Sequence, residues 1–167
     1  MKTLLVLRHA KSSWDDASLS DFERPLNGRG KRVAPFMGEV IKDRGFEPDL
    51  IISSPAVRAR ETARLLAESS GYAGKIHHDT RMYEASPKTL QQVVAEVDNR
   101  FETLMVVGHN PGMEGLVRML TGKSERMPTA ALAIIDLDIS DWSDLRDDSG
   151  KLRDLMRPKD LQKKSKK

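Results

Sequence analysis

Apolar and polar positions along the chain follow two rhythms. Short apolar runs recur at Leu4–Leu7 (LLVL), Asp49–Ser53 (DLIIS), Thr103–Gly108 (TLMVVG) and Ala130–Leu137 (AALAIIDL), with a weaker one at Lys75–His78 (KIHH). Runs of this length bounded by turn residues predict buried strands. Between them apolar residues recur at three- and four-residue spacing. Gly28–Arg44 aligns Val33, Phe36, Met37, Val40 and Ile41, and Pro55–Ser69 aligns Ala56, Ala59, Ala63, Leu66 and Ala67. Ser86–Val97 aligns Leu90, Val93, Val94 and Val97, and a fourth helix is predicted over Pro111–Leu120. Ser54, Ser86 and Asn110 each precede a proline, the order of a helix N-cap followed by its first helical residue. Strands alternating with helices predict a mostly parallel sheet covered on both faces, a three-layer α/β/α sandwich. Asp138–Asp148 is rich in Asp and Ser and reads as a polar excursion.

The chain has 167 residues, enough for one domain with a full core. Its net charge of +3 is unevenly distributed. Arg157–Lys167 alone carries +5, whereas residues 1–156 carry −2. This divides the chain into a domain over 1–156 and a basic end over 157–167, read as solvated and flexible. With aromatic content of 5% and a basic excess confined to that end, no nucleic-acid partner is expected. No apolar stretch approaches a membrane span and the first strand lacks a signal-peptide pattern, so a cytoplasmic location is expected. The chain has no cysteine, which excludes disulfides, thiolate metal sites and a cysteine nucleophile.

Several apparent motifs fail. Gly28-Arg29-Gly30 does not follow a strand and lacks the third glycine of a dinucleotide fingerprint. No phosphate-binding loop of the Gly-Lys-Ser/Thr type exists, and the acidic run from Asp136 lacks the Gly and Glu of a calcium loop. Asp136-Leu137-Asp138 resembles the start of an aspartate-nucleophile, Mg²⁺-dependent phosphatase. Only 27 residues follow Ser140, too few for that family's remaining motifs, so the segment reads as a last strand running into an acidic loop.

A different set converges on one sheet edge. Arg8-His9 ends the first strand, where ligand sites form in open α/β sheets. Ser53–Ala63 ends the second strand and opens a helix, whose free N–H groups favour anions, with Arg58 near its first turn. Gly108-His109-Asn110 ends the fourth strand, and Glu84 follows the third. These residue types make up a phosphoryl-transfer kit. An imidazole attacks phosphorus, two guanidiniums neutralise the equatorial oxygens, a second imidazole binds the same group, and a carboxyl group shuttles the proton. No metal or other cofactor is called for. Arg24 either lines the pocket rim or pairs with Asp21 or Glu23. His77 and His78 point to opposite faces of a weak strand and read as structural, and Met105, Met113 and Met119 read as core.

These residues resemble the histidine phosphatase superfamily, in its phosphoglycerate-mutase-like branch. Arg8-His9-Ala10 stands where the family has Arg-His-Gly, and Ser53–Ala63 is similar to its second arginine motif. Gly108-His109-Asn110 is similar to its second histidine motif, and Arg24-Pro25-Leu26 to the segment following the first. The resemblance runs from Lys2 to about Leu137, and the short chain without an inserted cap resembles the SixA-type phosphohistidine phosphatases. It implies a phosphoglycerate-mutase-like fold and a metal-independent phosphatase working through a phosphohistidine on His9. Arg8, Arg58 and His109 would bind phosphate, and Glu84 would be the acid. The substrate implied is a phosphorylated protein or a small phosphoester. A small-molecule phosphatase or mutase of the same superfamily and a non-catalytic phospho-binding module are the alternatives. Ala10 departs from the family glycine, and a positive φ there would be strained.

Overall fold

The computed structural model describes residues 1–165, with side chains to residue 162. Six strands form one sheet: β1 (Lys2–Arg8), β2 (Leu50–Ser53), β3 (Ile76–His78), β4 (Thr103–Gly108), β5 (Leu132–Leu137) and β6 (Gly150–Met156). Their order is β3-β2-β4-β1-β5-β6. The first four are mutually parallel, and β5 and β6 add an antiparallel pair at the β1 side. Among the described residues there are five α-helices: α1 (Gly28–Asp43), α2 (Val57–Ser70), α3 (Pro87–Ala95), α4 (Gly112–Thr121) and α5 (Pro158–Ser165).

The two-residue period of a strand sends successive side chains to opposite faces, and this divides the core in two. Leu4 and Val6 of β1, Leu104 and Val106 of β4, and Ile135 and Leu137 of β5 face α3 and α4. Leu5, Leu7, Met105, Val107, Leu132 and Ile134 face α1 and α2. The helices answer with the stripes their sequences predict, such as Val33, Met37 and Ile41 of α1 and Leu116, Val117 and Leu120 of α4. The result is the expected three-layer sandwich. No helix among the described residues is long and apolar enough to cross a membrane.

The structure departs from the sequence reading in the C-terminal quarter. The polar excursion buries Ile139, Trp142 and Leu145 against the α3/α4 layer. Trp142 is fully buried, and its indole N–H donates to the Phe101 carbonyl at 2.8 Å. Lys2 caps the same end, its ammonium donating to the carbonyls of Asn99 (2.5 Å) and Phe101 (3.0 Å). β6 carried no clear apolar signal because it is an edge strand, studded with exposed Lys151, Arg153 and Asp154, as edges that resist further pairing are. Asp136 of β5 accepts from Arg153 of β6 at 2.8 Å, so the apparent aspartate-nucleophile motif is a cross-strand ion pair. The basic end expected to be flexible begins as α5. The Arg157 carbonyl accepts from the N–H groups of Asp160 and Leu161, and Leu161 packs against the α1/α2 layer. Lys166 and Lys167 lie outside the described residues.

Trp142→Ala should therefore destabilise the protein by roughly 3–5 kcal/mol, the cost of emptying a buried aromatic site. A urea unfolding curve with an unchanged midpoint would show that the 138–148 segment contributes nothing to the core.

Candidate active site

β1, β2 and β4 end at the same edge, and each delivers a polar residue there. β1 pairs with β4 so that Arg8 lies opposite Gly108, and the His9 N–H then donates to the Gly108 carbonyl at 3.0 Å. That register sets His9 beside His109, with ring centroids 5.1 Å apart. His9 Nδ1 lies 2.7 Å from the Ala10 carbonyl. A carbonyl can only accept, so Nδ1 carries the proton and the neutral ring keeps its lone pair on Nε2.

Ala10 itself is fully buried and does not adopt the positive φ that a family glycine allows. Its N–H donates to Thr62 Oγ1 (3.0 Å), and the Thr62 hydroxyl donates to the Arg58 carbonyl (2.7 Å). The strand end is thus tied to the first turn of α2. Ser54 does not cap that helix, which begins at Val57. Instead the Ser54 hydroxyl lies 2.8 Å from His109 Nε2.

Asp21, in the loop between β1 and α1, organises the cations. Its backbone carbonyl accepts from Arg58 Nη1 (2.6 Å) and its carboxylate from Arg58 Nη2 (3.0 Å), Arg24 Nη1 (3.1 Å) and the Tyr83 hydroxyl (2.6 Å). The Tyr83 bond and the two guanidiniums hold its carboxyl down at about 2. Arg24 is buried by this arrangement: it also donates to the Ser13 carbonyl and Ser12 Oγ, and its guanidinium stacks 3.1 Å from the Trp14 ring centroid. The salt bridge with Asp21 is present. Arg24 clamps the loop that holds Arg58. Arg8 donates to the Met127 carbonyl at 3.1 Å, a carbonyl that also receives Asn110 Nδ2.

Glu84 stands apart from this cluster. It is exposed, in the left-handed region at φ 54°, and makes no hydrogen bond with a described residue. Its neighbour Tyr83 lies edge-on to His109, with ring centroids 5.6 Å apart. Gly112 permits this placement, because a Cβ there would collide with the Ala85 carbonyl. A non-glycine residue held at positive φ marks a locally strained position, and such strain concentrates at functional sites. His77 and His78 are exposed on β3, outside the cluster, while Met105 and Met113 are in the core and Met119 is half-buried.

Burial pushes the His9 imidazole down to about 3 and the His109 imidazole to about 4, with Arg58 and Arg8 adding to both effects. Both rings are neutral at physiological pH. Arg8 Nε and His109 Nδ1 are buried without a hydrogen-bond partner among the described residues. Both flank His9, and an anion accepting from both would satisfy them.

Comparison with known proteins follows the geometry. The model of the histidine phosphatase superfamily, branch 1, matches residues 4–114. The chain belongs to this superfamily. An uncharacterized chloroplastic protein of Arabidopsis thaliana is 32% identical over 152 residues, covering 86% of this chain and 70% of that protein. An Agrobacterium tumefaciens protein assigned as the phosphohistidine phosphatase SixA has a TM-score of 0.81 at 29% identity, over 94% of this chain and 98% of that one. The protein histidine phosphatase SixA complexed with tungstate has the same fold, with a TM-score of 0.83 at 21% identity, over 95% of this chain and 99% of that one. Among the site residues, Asp21, Ser54, Thr62 and Tyr83 carried no functional signal in the sequence. Asp21 was visible there as a partner for Arg24, and Ser54 as a helix-cap candidate.

The neutral state of the two histidines has a thermodynamic consequence. The unfolded chain takes up their protons as pH falls through about 6.5, whereas the folded chain resists until about 4 and about 3. Stability should therefore fall on acidification across that window. In NMR titrations, His9 should remain neutral with its proton on Nδ1 from pH 8 to about 5. A midpoint near 6.5 would contradict the buried geometry.

Proposed function

We propose that the protein is a metal-independent phosphatase that works through a phosphohistidine on His9 and acts on phosphohistidine-bearing proteins. The observation that carries this reading is the Ala10 carbonyl on His9 Nδ1, which leaves the Nε2 lone pair free in a ring that stays neutral. The Nε2 lone pair attacks phosphorus as the bond from phosphorus to the leaving imidazole nitrogen breaks. Glu84, as the carboxylic acid, gives that nitrogen its proton. A water then attacks the phosphohistidine, the bond to His9 breaks, and the Glu84 carboxylate takes the water's proton. Phosphoryl transfer is mainly a matter of position and charge. Arg8, Arg58 and His109 supply the positive charge and donors around the equatorial oxygens. With the Ser54 hydroxyl donating to Nε2, His109 offers its Nδ1–H to the phosphoryl group.

No group of three His, Cys, Asp or Glu side chains among the described residues is arranged to hold a metal ion, and the arginines take over the charge that Mg²⁺ would supply. The relative assigned as SixA supports the substrate class, and a cytoplasmic location belongs to the same reading.

Incubation with a ³²P-labelled phosphohistidine protein, followed by a quench, should leave an acid-labile label on His9, absent in His9→Ala and unaffected by EDTA. Label on Asp136, or loss of turnover with EDTA, would overturn the mechanism. Glu84→Gln should slow hydrolysis of an alkyl phosphate by roughly 100-fold or more, the usual worth of a general acid. The same variant should slow phosphohistidine hydrolysis far less, because protonated imidazole leaves readily. Sugar phosphates turning over much faster than phosphohistidine proteins would shift the reading to a small-molecule phosphatase.

A further inference from the structure

Two basic residues of the C-terminal segment, Arg157 and Lys159, join three others around a hollow that the catalytic reading leaves unused. A cavity of about 190 Å³ lies between the first turns of α1 and α5. Lys11, Arg29, Arg126, Arg157 and Lys159 line it, opposed by a single carboxylate, Asp160. The cations come from four separate segments of a chain whose first 156 residues carry a net −2. Among the described residues, only Arg157 has a side-chain partner, donating to the Arg126 carbonyl (3.1 Å) and lying 3.4 Å from Glu125. The other four are exposed and unpaired. Like charges drawn around one hollow repel, and the two helix N-termini there add positive potential.

The backbone that lines the cavity is continuous with the backbone that carries Arg8 and His9. Lys11 lies two residues beyond His9, and its carbonyl receives the Asn27 N–H at 3.0 Å. Gly30 lets α1 approach it, since a Cβ there would collide with that carbonyl. On the other side, Arg126 precedes Met127, whose carbonyl holds Arg8, and the Ala130 N–H donates to the His9 carbonyl at 3.0 Å. The backbone of the cavity wall is therefore fixed relative to His9.

We propose that this cavity is a docking subsite for acidic side chains of the phosphoprotein substrate, close to the phosphorylated residue. The proposal rests on the phosphatase reading and adds a specificity to it. Exposed cations on flexible stems, spread over four segments, suit several carboxylates on a protein surface. They speed encounter and set register and do not grip one phosphate tightly. A tight single-phosphate site would bury its guanidiniums, as Arg58 is buried.

The test uses two synthetic phosphohistidine peptides, one flanked by glutamates and one by glutamines in the same places. The full-length protein should show a KM about tenfold lower for the glutamate peptide at low ionic strength, with similar kcat and with the difference lost in high salt. The double variant Arg29→Glu/Arg126→Glu changes two exposed side chains. It should abolish that preference and leave p-nitrophenyl phosphate hydrolysis unchanged. Equal KM values for the two peptides in the wild type would overturn the docking subsite alone. So would a double variant that loses activity only on a small bisphosphate such as fructose 1,6-bisphosphate. A wild-type protein that hydrolyses neither peptide nor p-nitrophenyl phosphate, and traps no phosphoenzyme, would overturn the phosphatase reading as well.

Discussion

The parallel pairing of β1 with β4, in the register that sets Arg8 against Gly108, is the constraint on which the rest of the site depends. It is not fixed by burial alone. β1 is apolar on both faces, and a strand with two buried faces loses little apolar contact when it slips by one residue. The polar ends pin it. Lys2 is held by the carbonyls of Asn99 and Phe101 at one end, and at the other Arg8 is held by Met127 and His9 by Gly108. A one-residue slip would break these bonds and separate the two imidazoles.

Around that register, the charges are arranged so that neutral histidines sit among cations. Arg8 and Arg58 disfavour protonation of both rings and prepare the site for a doubly negative group. Asp21 keeps the positive charge in place. It takes up the outward-facing donors of Arg58 and ties in Arg24 and Tyr83. The loop carrying Asp21 is sealed to α2 as well, through the Val57 N–H on the Phe22 carbonyl. Positive charge near His9 is thereby balanced in part by a carboxylate held by three donors.

Much of this was legible in the chain. The first five strands and the first four helices stand where their apolar periods place them, because buried faces demand regular spacing. Arg8, His9, Arg58 and His109 were legible because each follows a strand, and strands of one parallel sheet end at one edge. β6 was not legible: an exposed edge strand buries too few side chains to leave a period. Trp142 was hidden inside a polar segment, since one buried aromatic makes no pattern. The helix-cap reading of Ser54 failed because α2 begins only at Val57; the Ser54 hydroxyl instead meets the Ala56 N–H and, at long range, His109.

The sequence by itself determined the layers, the elements that end together and the residue types gathered there, because periodicity and strand polarity are local properties. Only the tertiary structure decided which partner each polar group meets. It placed the proton of His9 on Nδ1 and joined Arg24 and Arg58 through Asp21. It also packed Leu161, at the start of the basic C-terminal segment, against the α1/α2 layer. Hydrogen bonds and ion pairs between residues tens of positions apart depend on distances of a few tenths of an ångström, which no local pattern encodes.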